Sequence, residues 1–305
     1  MDTGRRWCSV EETPLVLGTA QLGMAYGIAN TSGKPDPNEA VHIVRTARQS
    51  GIRFFDTAQA YGDSEEVLGK CFRTLGFRDG ECRVVSKLDP NLDLHDPAGV
   101  FGRLERSMRH LGIGRFWGLL THRESLLDHD KDVVREIGRQ LKVRGLTEHF
   151  GVSVYSPEKG LEALELDEVD IVQLPFNVFD QRALETDLFR TASKRGKGVF
   201  VRSVYLQGLL LLEPEETPPE LAFAVEPVGA FHRICRECGL APKLLALAFV
   251  VQRASGARIV IGAEKPDQVR ENAALYDMGR KLNLPDLACL SQGDSRLINP
   301  SLWYR

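Results

Sequence analysis

The chain has 305 residues, of which 43% are hydrophobic and 27% charged, and its formal net charge is −3 at pH 7. This length fits one large α/β domain or two ordinary domains, and the apolar fraction is enough for a sizeable core. The small, mixed charge gives no electrostatic reason to expect binding to nucleic acid or to an anionic membrane surface.

The first ten residues and the apolar runs give no indication of export or membrane insertion. Met1–Val10 lacks the apolar core of a signal peptide, and the longest clean apolar run, Leu244–Val251, is too short to cross a bilayer. We therefore expect a cytoplasmic protein whose six cysteines are reduced. His232, Cys235 and Cys238 are close in sequence, but no second pair lies nearby and the segment favours a helix, so we expect no metal site.

Apolar and amphipathic segments alternate along almost the whole chain. Strand patterns fall at 14–19, 52–56, 82–87, 115–121, 149–154, 169–174, 198–204 and 257–261. Helix patterns fall at 38–50, 63–75, 97–111, 130–145, 157–165, 184–196, 229–254 and 266–278. Pro157 and Pro266 suit first helical turns, and Gly51, Gly112 and Gly196 suit helix ends.

Strand–helix units in this number are typical of a closed (β/α)8 TIM barrel, and we predict a single α/β domain of this kind over residues 1–305. The alternative is an open doubly wound sheet, but Gly18–Gly23 does not fit the glycine fingerprint of that fold. We expect two additions to the barrel, a loop insertion near 206–228 and a C-terminal tail over 281–305. The acidic part of the insertion and the Trp303-Tyr304 end of the tail are expected to shape a pocket.

Four ionisable groups follow three successive predicted strands. Asp56 ends the second strand and Tyr61 comes five residues later, while Lys87 and His122 end the next two strand patterns. The carboxyl ends of barrel strands form one rim, and neighbouring strands lie about 4.8 Å apart. These side chains are therefore expected to converge within about 10 Å.

The four residue types suit the protonation of a carbonyl oxygen. A free tyrosine has a pKa of about 10, which a neighbouring ammonium would lower. Asp56 would keep Lys87 charged, and His122 would hydrogen-bond the carbonyl. Each residue alone has a simpler interpretation, as a capping aspartate, a rim tyrosine, an exposed lysine and a half-buried histidine. Their shared rim favours the catalytic interpretation.

The segment Asp56–Glu65 reads Asp-Thr-Ala-x-x-Tyr-Gly-x-Ser-Glu, and together with Lys87 and His122 it resembles the aldo-keto reductase superfamily. The resemblance extends from about residue 14 to residue 278 of the printed sequence. It implies an NAD(P)H-dependent enzyme that reduces an aldehyde or ketone, such as a sugar or another polar small molecule, to an alcohol. Asp56, Tyr61, Lys87 and His122 would be its catalytic residues, with Tyr61 as proton donor. The resemblance favours NADPH as the coenzyme, with NADH possible.

The same resemblance implies a set of coenzyme contacts around the barrel mouth. The set comprises Thr19, Asp56, Ser153, Gln173, Arg202, Ser203, Val204, Tyr205, Gln207, Gly262, Glu264, Lys265, Gln268, Glu271 and Asn272. Arg202 stands where relatives have an aromatic ring that stacks on nicotinamide, and its simpler interpretation is an ion pair with an acidic loop residue.

Several alternatives stay open at this point. Glu264 would accept hydrogen bonds from a bare ribose and favours NADH, whereas Lys265 would pair with a phosphate and favours NADPH. Met24, Tyr26 and Arg123 are weaker candidates for pocket walls. A catalytically weak, cofactor-binding regulatory subunit is the alternative function. A phosphate-binding isomerase is disfavoured, because no glycine-rich loop follows the seventh strand. The pattern does not determine the oligomeric state.

Overall fold

The computed structural model describes residues 7, 12–78 and 80–303, so Cys8 and Tyr304 lie outside the described residues. Eight parallel strands pair in chain order and close into a barrel, which confirms the predicted (β/α)8 fold and each predicted strand. The strands are Leu15–Gly18 (β1), Phe54–Asp56 (β2), Arg83–Lys87 (β3), Phe116–Thr121 (β4), Thr147–Ser153 (β5), Ile171–Pro175 (β6), Gly198–Arg202 (β7) and Arg258–Gly262 (β8).

Helices cover the outside of the barrel. They are Ala20–Gly23 (α1), Pro37–Gln49 (α2), Ser64–Leu75 (α3), Pro97–Leu111 (α4), Leu126–His129 (α5), Lys131–Val143 (α6), Pro157–Leu164 (α7), Arg182–Glu185 (α8), Leu188–Lys194 (α9), Val225–Cys238 (α10), Pro242–Arg253 (α11), Pro266–Gly279 (α12) and Ser295–Ile298 (α13). The patterns at 184–196 and 229–254 each contain two helices instead of one. The backbone turns left-handed at Asp187 (φ 57°) and at Gly239 (φ 64°), and Pro242 then starts a new helix.

The barrel interior is filled by side chains, so the chemistry is confined to its rims. Seven of these buried residues form one inner cluster, namely Val16, Phe54, Val85, Leu120, Ile171, Phe200 and Val260. Residues at the carboxyl ends of neighbouring strands are level with one another: Gly18 pairs with Asp56 and with Gly262, and Ser153 pairs with Gln173. Side chains that follow these positions therefore share one mouth.

The predicted insertion and tail lie beside this mouth. The insertion contains short 3-10 helices at Leu206–Leu211, Pro214–Glu216 and Pro219–Ala224. The tail packs on the loop after β6, where the Gln292 N–H donates to the Phe179 carbonyl (2.8 Å) and the Gln181 amide donates to the Leu287 carbonyl (2.7 Å).

Within 12–78 and 80–303, no helix is long and apolar enough to cross a membrane. Helix α10 carries His232, Cys235 and Cys238, as predicted. His232 is buried with Nε2 3.2 Å from the Leu210 carbonyl oxygen and Nδ1 3.4 Å from a Glu213 carboxylate oxygen. In the described part of the chain, no three His, Cys, Asp or Glu side chains are grouped closely enough to hold a metal ion.

Candidate active site

Asp56, Lys87 and His122 come together at the carboxyl ends of β2, β3 and β4. The Lys87 side chain is fully buried, and its ammonium donates to Asp56 Oδ1 at 2.6 Å and to the Thr57 carbonyl oxygen at 3.0 Å. The sequence predicted this ion pair from strand order alone, because adjacent parallel strands place their last residues side by side.

Both oxygens of Asp56 have partners, so its carboxylate is fixed. The second oxygen, Oδ2, accepts a hydrogen bond from the amide nitrogen of Gln173 on β6 at 2.7 Å. The amide oxygen of Gln173, Oε1, is buried and has no partner among the described residues. Gln173 therefore reaches across the barrel mouth to Asp56 and keeps one acceptor available for a ligand.

Tyr61 completes the group from the loop after β2. Its ring centroid lies 4.9 Å from the Lys87 ammonium nitrogen and 6.0 Å from the His122 ring centroid, with the two rings nearly perpendicular at 82°. Its hydroxyl has no hydrogen-bond partner in the described part of the chain, and Tyr61 lines a cavity. The phenol is thus free to bind a substrate oxygen.

Two glycines hold the Tyr61 loop against the loop after β1. A Cβ added to Gly23 would lie 1.9 Å from the Tyr61 carbonyl oxygen, and one added to Gly62 would lie 2.4 Å from the Gly23 carbonyl oxygen. Gly62 also has a φ of +58°, which side chains rarely adopt. The glycine of the motif is therefore needed for close packing beneath the tyrosine.

The remaining polar residues of the motif join strands. The Ser64 hydroxyl lies 2.8 Å from the Thr19 hydroxyl and 3.0 Å from the Thr57 hydroxyl, so it connects the segments after β1 and β2. Glu65 accepts a buried hydrogen bond of 2.7 Å from Ser86 on β3. These residues position the rim and lie outside the reacting group.

The pKa of Tyr61 shifts in the direction opposite to the sequence-based prediction. Burial raises the pKa of this phenol well above its ordinary value, the Asp56 carboxylate adds to the rise, and only Arg202 opposes it. The prediction is wrong because it considered only the attraction of the Lys87 ammonium for a phenolate. Burial removes water from the phenol and disfavours its charged form, which has the larger effect on the pKa. At neutral pH the phenol keeps its proton, as a proton donor must.

Burial also governs the two basic groups. It lowers the pKa of Lys87 against the opposing attraction of Asp56. It lowers the pKa of His122 to about 3, helped by the positive charges of Lys87 and Arg202. His122 is therefore a neutral imidazole at pH 7 and can share a hydrogen bond with a carbonyl oxygen without adding charge.

A cavity of about 280 Å³ runs from Asp56 and Tyr61 to the first turns of α12. Eleven residues of the predicted coenzyme set line it, namely Thr19, Asp56, Arg202, Ser203, Val204, Tyr205, Gln207, Gly262, Glu264, Gln268 and Asn272. The other four do not. Ser153 and Gln173 are buried at the strand ends, Lys265 is exposed, and the Glu271 carboxylate pairs with Lys243.

Part of the cavity wall was not predicted from the sequence. Lys243 of α11 lines it, although no motif marks this residue, because α11 meets α12 only in the folded barrel. Tyr26 lines the wall, but the other weak candidates do not, since Met24 is exposed and Arg123 donates to the Pro90 carbonyl oxygen.

Trp303 of the tail and the acidic part of the insertion contribute little to this wall, although Gln207 and Gly208 at the start of the insertion line it. Trp303 packs inside the tail, where its ring N–H donates to the Arg296 carbonyl at 2.7 Å, and it does not line the cavity. Of the acidic stretch expected to shape the pocket, only Leu211 does. The described part of this expectation is therefore wrong for the main cavity, and Tyr304 lies outside the described residues.

Arg202, at the end of β7, is a cation on the cavity wall. Its guanidinium stacks over the Tyr155 ring at 4.6 Å and donates to the Val154 carbonyl at 3.3 Å. In the described ranges no carboxylate pairs with it, so the simpler interpretation of an ion pair with an acidic loop residue is wrong. Its charge acts on both Tyr61 and His122.

The loop after β7 has an unusual backbone. Ser203, Leu206 and Gln207 have φ values of 61°, 49° and 54°, a region that costs non-glycine residues about 1 kcal/mol or more. Two hydrogen bonds hold the loop. The Asn177 side-chain amide donates to the Ser203 carbonyl (3.1 Å), and the Ile28 N–H donates to the Gln207 carbonyl (2.9 Å). These contacts come from β6 and β1 loops and keep the strained segment on the cavity wall.

Comparison with known proteins agrees with this fold. The sequence profile of the aldo/keto reductase family matches residues 14–283. The chain is 24% identical over 287 residues to a protein of Oryza sativa subsp. japonica named "Probable voltage-gated potassium channel subunit beta", covering 84% of this chain and 87% of that protein. It is 24% identical over 305 residues to the NADH-specific methylglyoxal reductase of Escherichia coli, covering 88% and 90%. Its fold resembles the holo form of an aldo-keto reductase from Bacillus halodurans with a TM-score of 0.68 and 20% identity, covering 92% of each chain.

Proposed function

Because the chain belongs to the aldo/keto reductase family, we propose that it is an NAD(P)H-dependent oxidoreductase that reduces an aldehyde or ketone to an alcohol. The observation that carries the proposal is the free Tyr61 hydroxyl on the cavity wall, beside the buried Asp56–Lys87 pair and the neutral His122. Binding alone does not require a proton donor at this position, whereas protonation of a carbonyl oxygen does, and the phenol can supply it.

The residues at the barrel mouth fit a nicotinamide coenzyme. The buried Oε1 of Gln173 lacks a partner, and a carboxamide N–H would satisfy it. Ser153 lies beside Gln173 in the strand register and would bind the same amide. Tyr205, Gln268 and Asn272 would hold the adenosine half at the other end of the cavity. When bound there, the coenzyme supplies the hydride for the carbonyl carbon.

The protein's own groups would handle the proton. The Tyr61 hydroxyl and the His122 ring would bind the carbonyl oxygen and fix its position. As negative charge develops on that oxygen, Tyr61 would donate its proton, because even a phenol with a raised pKa is a stronger acid than the alcohol being formed. Lys87 would stabilise the resulting phenolate from 4.9 Å below the ring, held by Asp56 and the Thr57 carbonyl. In alcohol oxidation Tyr61 would accept the proton instead.

The nature of the mouth favours a small, polar carbonyl substrate. Tyr26, Tyr61 and Arg202 line the cavity, and the Arg202 guanidinium stacks over the Tyr155 ring, so polar groups are present near the reacting position. Burial raises the pKa of Tyr26 to about 12, which keeps this second phenol neutral and able to donate a hydrogen bond. A hydroxylated carbonyl compound such as a sugar would use these groups better than a long-chain aldehyde.

A second candidate is a coenzyme-binding regulatory subunit with little turnover. The similarity to a protein named as a potassium channel subunit supports it. The two functions differ in one measurable property, because a regulatory subunit would bind NADH or NADPH and fail to turn over any member of a broad panel of aldehydes and ketones.

The test is a binding titration with NADH and NADPH, followed by a carbonyl screen with wild type and Tyr61→Phe. We expect Tyr61→Phe to keep coenzyme affinity within about twofold and to lose turnover by about 10²-fold or more, since general acid catalysis is removed. Tyr276→Phe on α12, at a residue that does not line the cavity, is the matched control and should retain full turnover. Wild-type turnover by Tyr61→Phe would refute the assigned role.

A further inference from the structure

The cavity has a distal end, remote from Tyr61, that carries its own pattern of charge. We define the distal end by Tyr205, Lys243, Glu264, Gln268 and Asn272, all of which line the cavity. Gln268 Oε1 accepts the N–H groups of Glu264 and Lys265, and the Tyr205 hydroxyl donates to Asn272 at 3.1 Å. These bonds fix the backbone of the Glu264 turn and leave the Glu264 side chain on the wall.

Glu264 brings a carboxylate to the distal end without a neutralising partner. No cation in the described part of the chain forms an ion pair with it. Burial raises the pKa of Glu264, and the only opposing influence is the charge of Lys265. The carboxylate therefore offers acceptor oxygens to hydroxyl groups and would repel a phosphate.

Neither of the two lysines near this end presents an unpaired ammonium on the cavity wall. Lys265 is exposed and does not line the cavity. Lys243 does line it, but its ammonium pairs with the carboxylate of Glu271 and lies 5.9 Å from the Tyr205 ring centroid. The ammonium of Lys243 is thus already paired with Glu271, and among the described residues Glu264 has no ion-pair partner at the distal end.

We propose that this protein binds NADH in preference to NADPH and that Glu264 is the residue that discriminates between them. The proposal rests on the proposed function, because it concerns the coenzyme of that reaction. Glu264 would accept hydrogen bonds from the hydroxyl groups of an unmodified adenosine ribose, as acidic residues do in other dinucleotide sites. A 2′-phosphate would instead meet this unpaired carboxylate, and the ammonium of Lys243 on the same wall is already paired with Glu271.

Binding affinity tests the proposal without any need for turnover. Dissociation constants for NADH and NADPH would be measured by calorimetry for wild type, Glu264→Gln and Glu271→Gln. We expect wild type to bind NADH at least tenfold more tightly, and Glu264→Gln to shift the ratio at least tenfold towards NADPH. Glu271→Gln should shift it in the same direction, because it releases Lys243.

The fragments 5′-AMP and adenosine 2′,5′-bisphosphate isolate the distal end from the nicotinamide end. Wild type should prefer 5′-AMP, and Glu264→Gln should lose that preference. Glu237→Gln on α10, outside the cavity, is the matched control and should leave every ratio unchanged.

The outcomes separate this proposal from the proposed function. Tight binding of both coenzymes with equal or better affinity for NADPH would overturn the NADH preference and leave the oxidoreductase assignment intact. An unchanged ratio in Glu264→Gln would overturn the role of Glu264. Failure of wild type to bind either coenzyme would overturn both the preference and the function.

Discussion

The proton-transfer end of the cavity and the loop after β7 are held in place by different means. Asp56 and Lys87 end adjacent strands and bond each other at 2.6 Å, in a region buried by the barrel itself. The loop from Ser203 to Gly208 has three non-glycine residues at positive φ and depends on partners from the β1 and β6 loops. The first region follows from strand geometry, whereas the second exists only while distant segments hold it.

This difference explains where the chain keeps the family pattern and where it departs. Tyr61 and Gly62 both match the motif, and a Cβ at Gly62 would collide with the Gly23 carbonyl oxygen. Arg202 stands at the position where the resemblance implies an aromatic ring, and its guanidinium stacks on Tyr155. A loop that is held by backbone hydrogen bonds tolerates such exchange of side chains better than a buried ion pair does.

The largest effect should come from Lys87, at the rigid end. Lys87→Met leaves the Asp56 carboxylate with Gln173 as its side-chain partner and removes the charge that would stabilise a phenolate. Turnover should fall by about 10²-fold or more, measured as steady-state kcat with the preferred carbonyl compound.

Lys197→Met is the control for that measurement. Lys197 is partly buried, and its ammonium binds the Leu164 and Leu166 carbonyl oxygens away from the cavity. Its replacement should leave kcat unchanged. A Lys87→Met protein with normal kcat would show that the ion pair only supports the fold.

An intermediate effect should come from Arg202, at the adaptable end. A cation beside the nicotinamide position disfavours the positively charged oxidised ring. Arg202→Tyr should therefore raise the binding affinity for the oxidised coenzyme relative to the reduced coenzyme by about tenfold. Parallel titrations with the two forms measure the ratio, and Arg123→Tyr, outside the cavity, is the control. Equal changes in both affinities would contradict the electrostatic explanation.

The smallest effect should be the pH dependence of stability that His122 confers. Its pKa is about 3 in the folded chain, so between pH 6.5 and 3 the unfolded chain binds a proton that the folded chain does not. The contribution to stability is complete above pH 6.5 and is lost as the pH falls. Wild type should lose unfolding free energy between pH 7 and pH 5. In His122→Gln this loss should be smaller than in wild type by about 1–2 kcal/mol.

Urea unfolding at the two pH values measures this difference. The matched control is His42→Gln, since His42 is exposed on α2 and should leave the pH dependence as in wild type. An identical pH dependence in His122→Gln would mean that the imidazole titrates alike in the folded and unfolded chains.

The sequence by itself determined the barrel and the meeting of Asp56, Lys87 and His122, because strand periodicity and strand order fix which residues share a rim. Only the tertiary structure decided how far burial raises the pKa of Tyr61, since solvent exclusion depends on every segment packed around the phenol. It also placed Lys243 on the cavity wall and Lys265 away from it, because these positions depend on how α11 and α12 pack together.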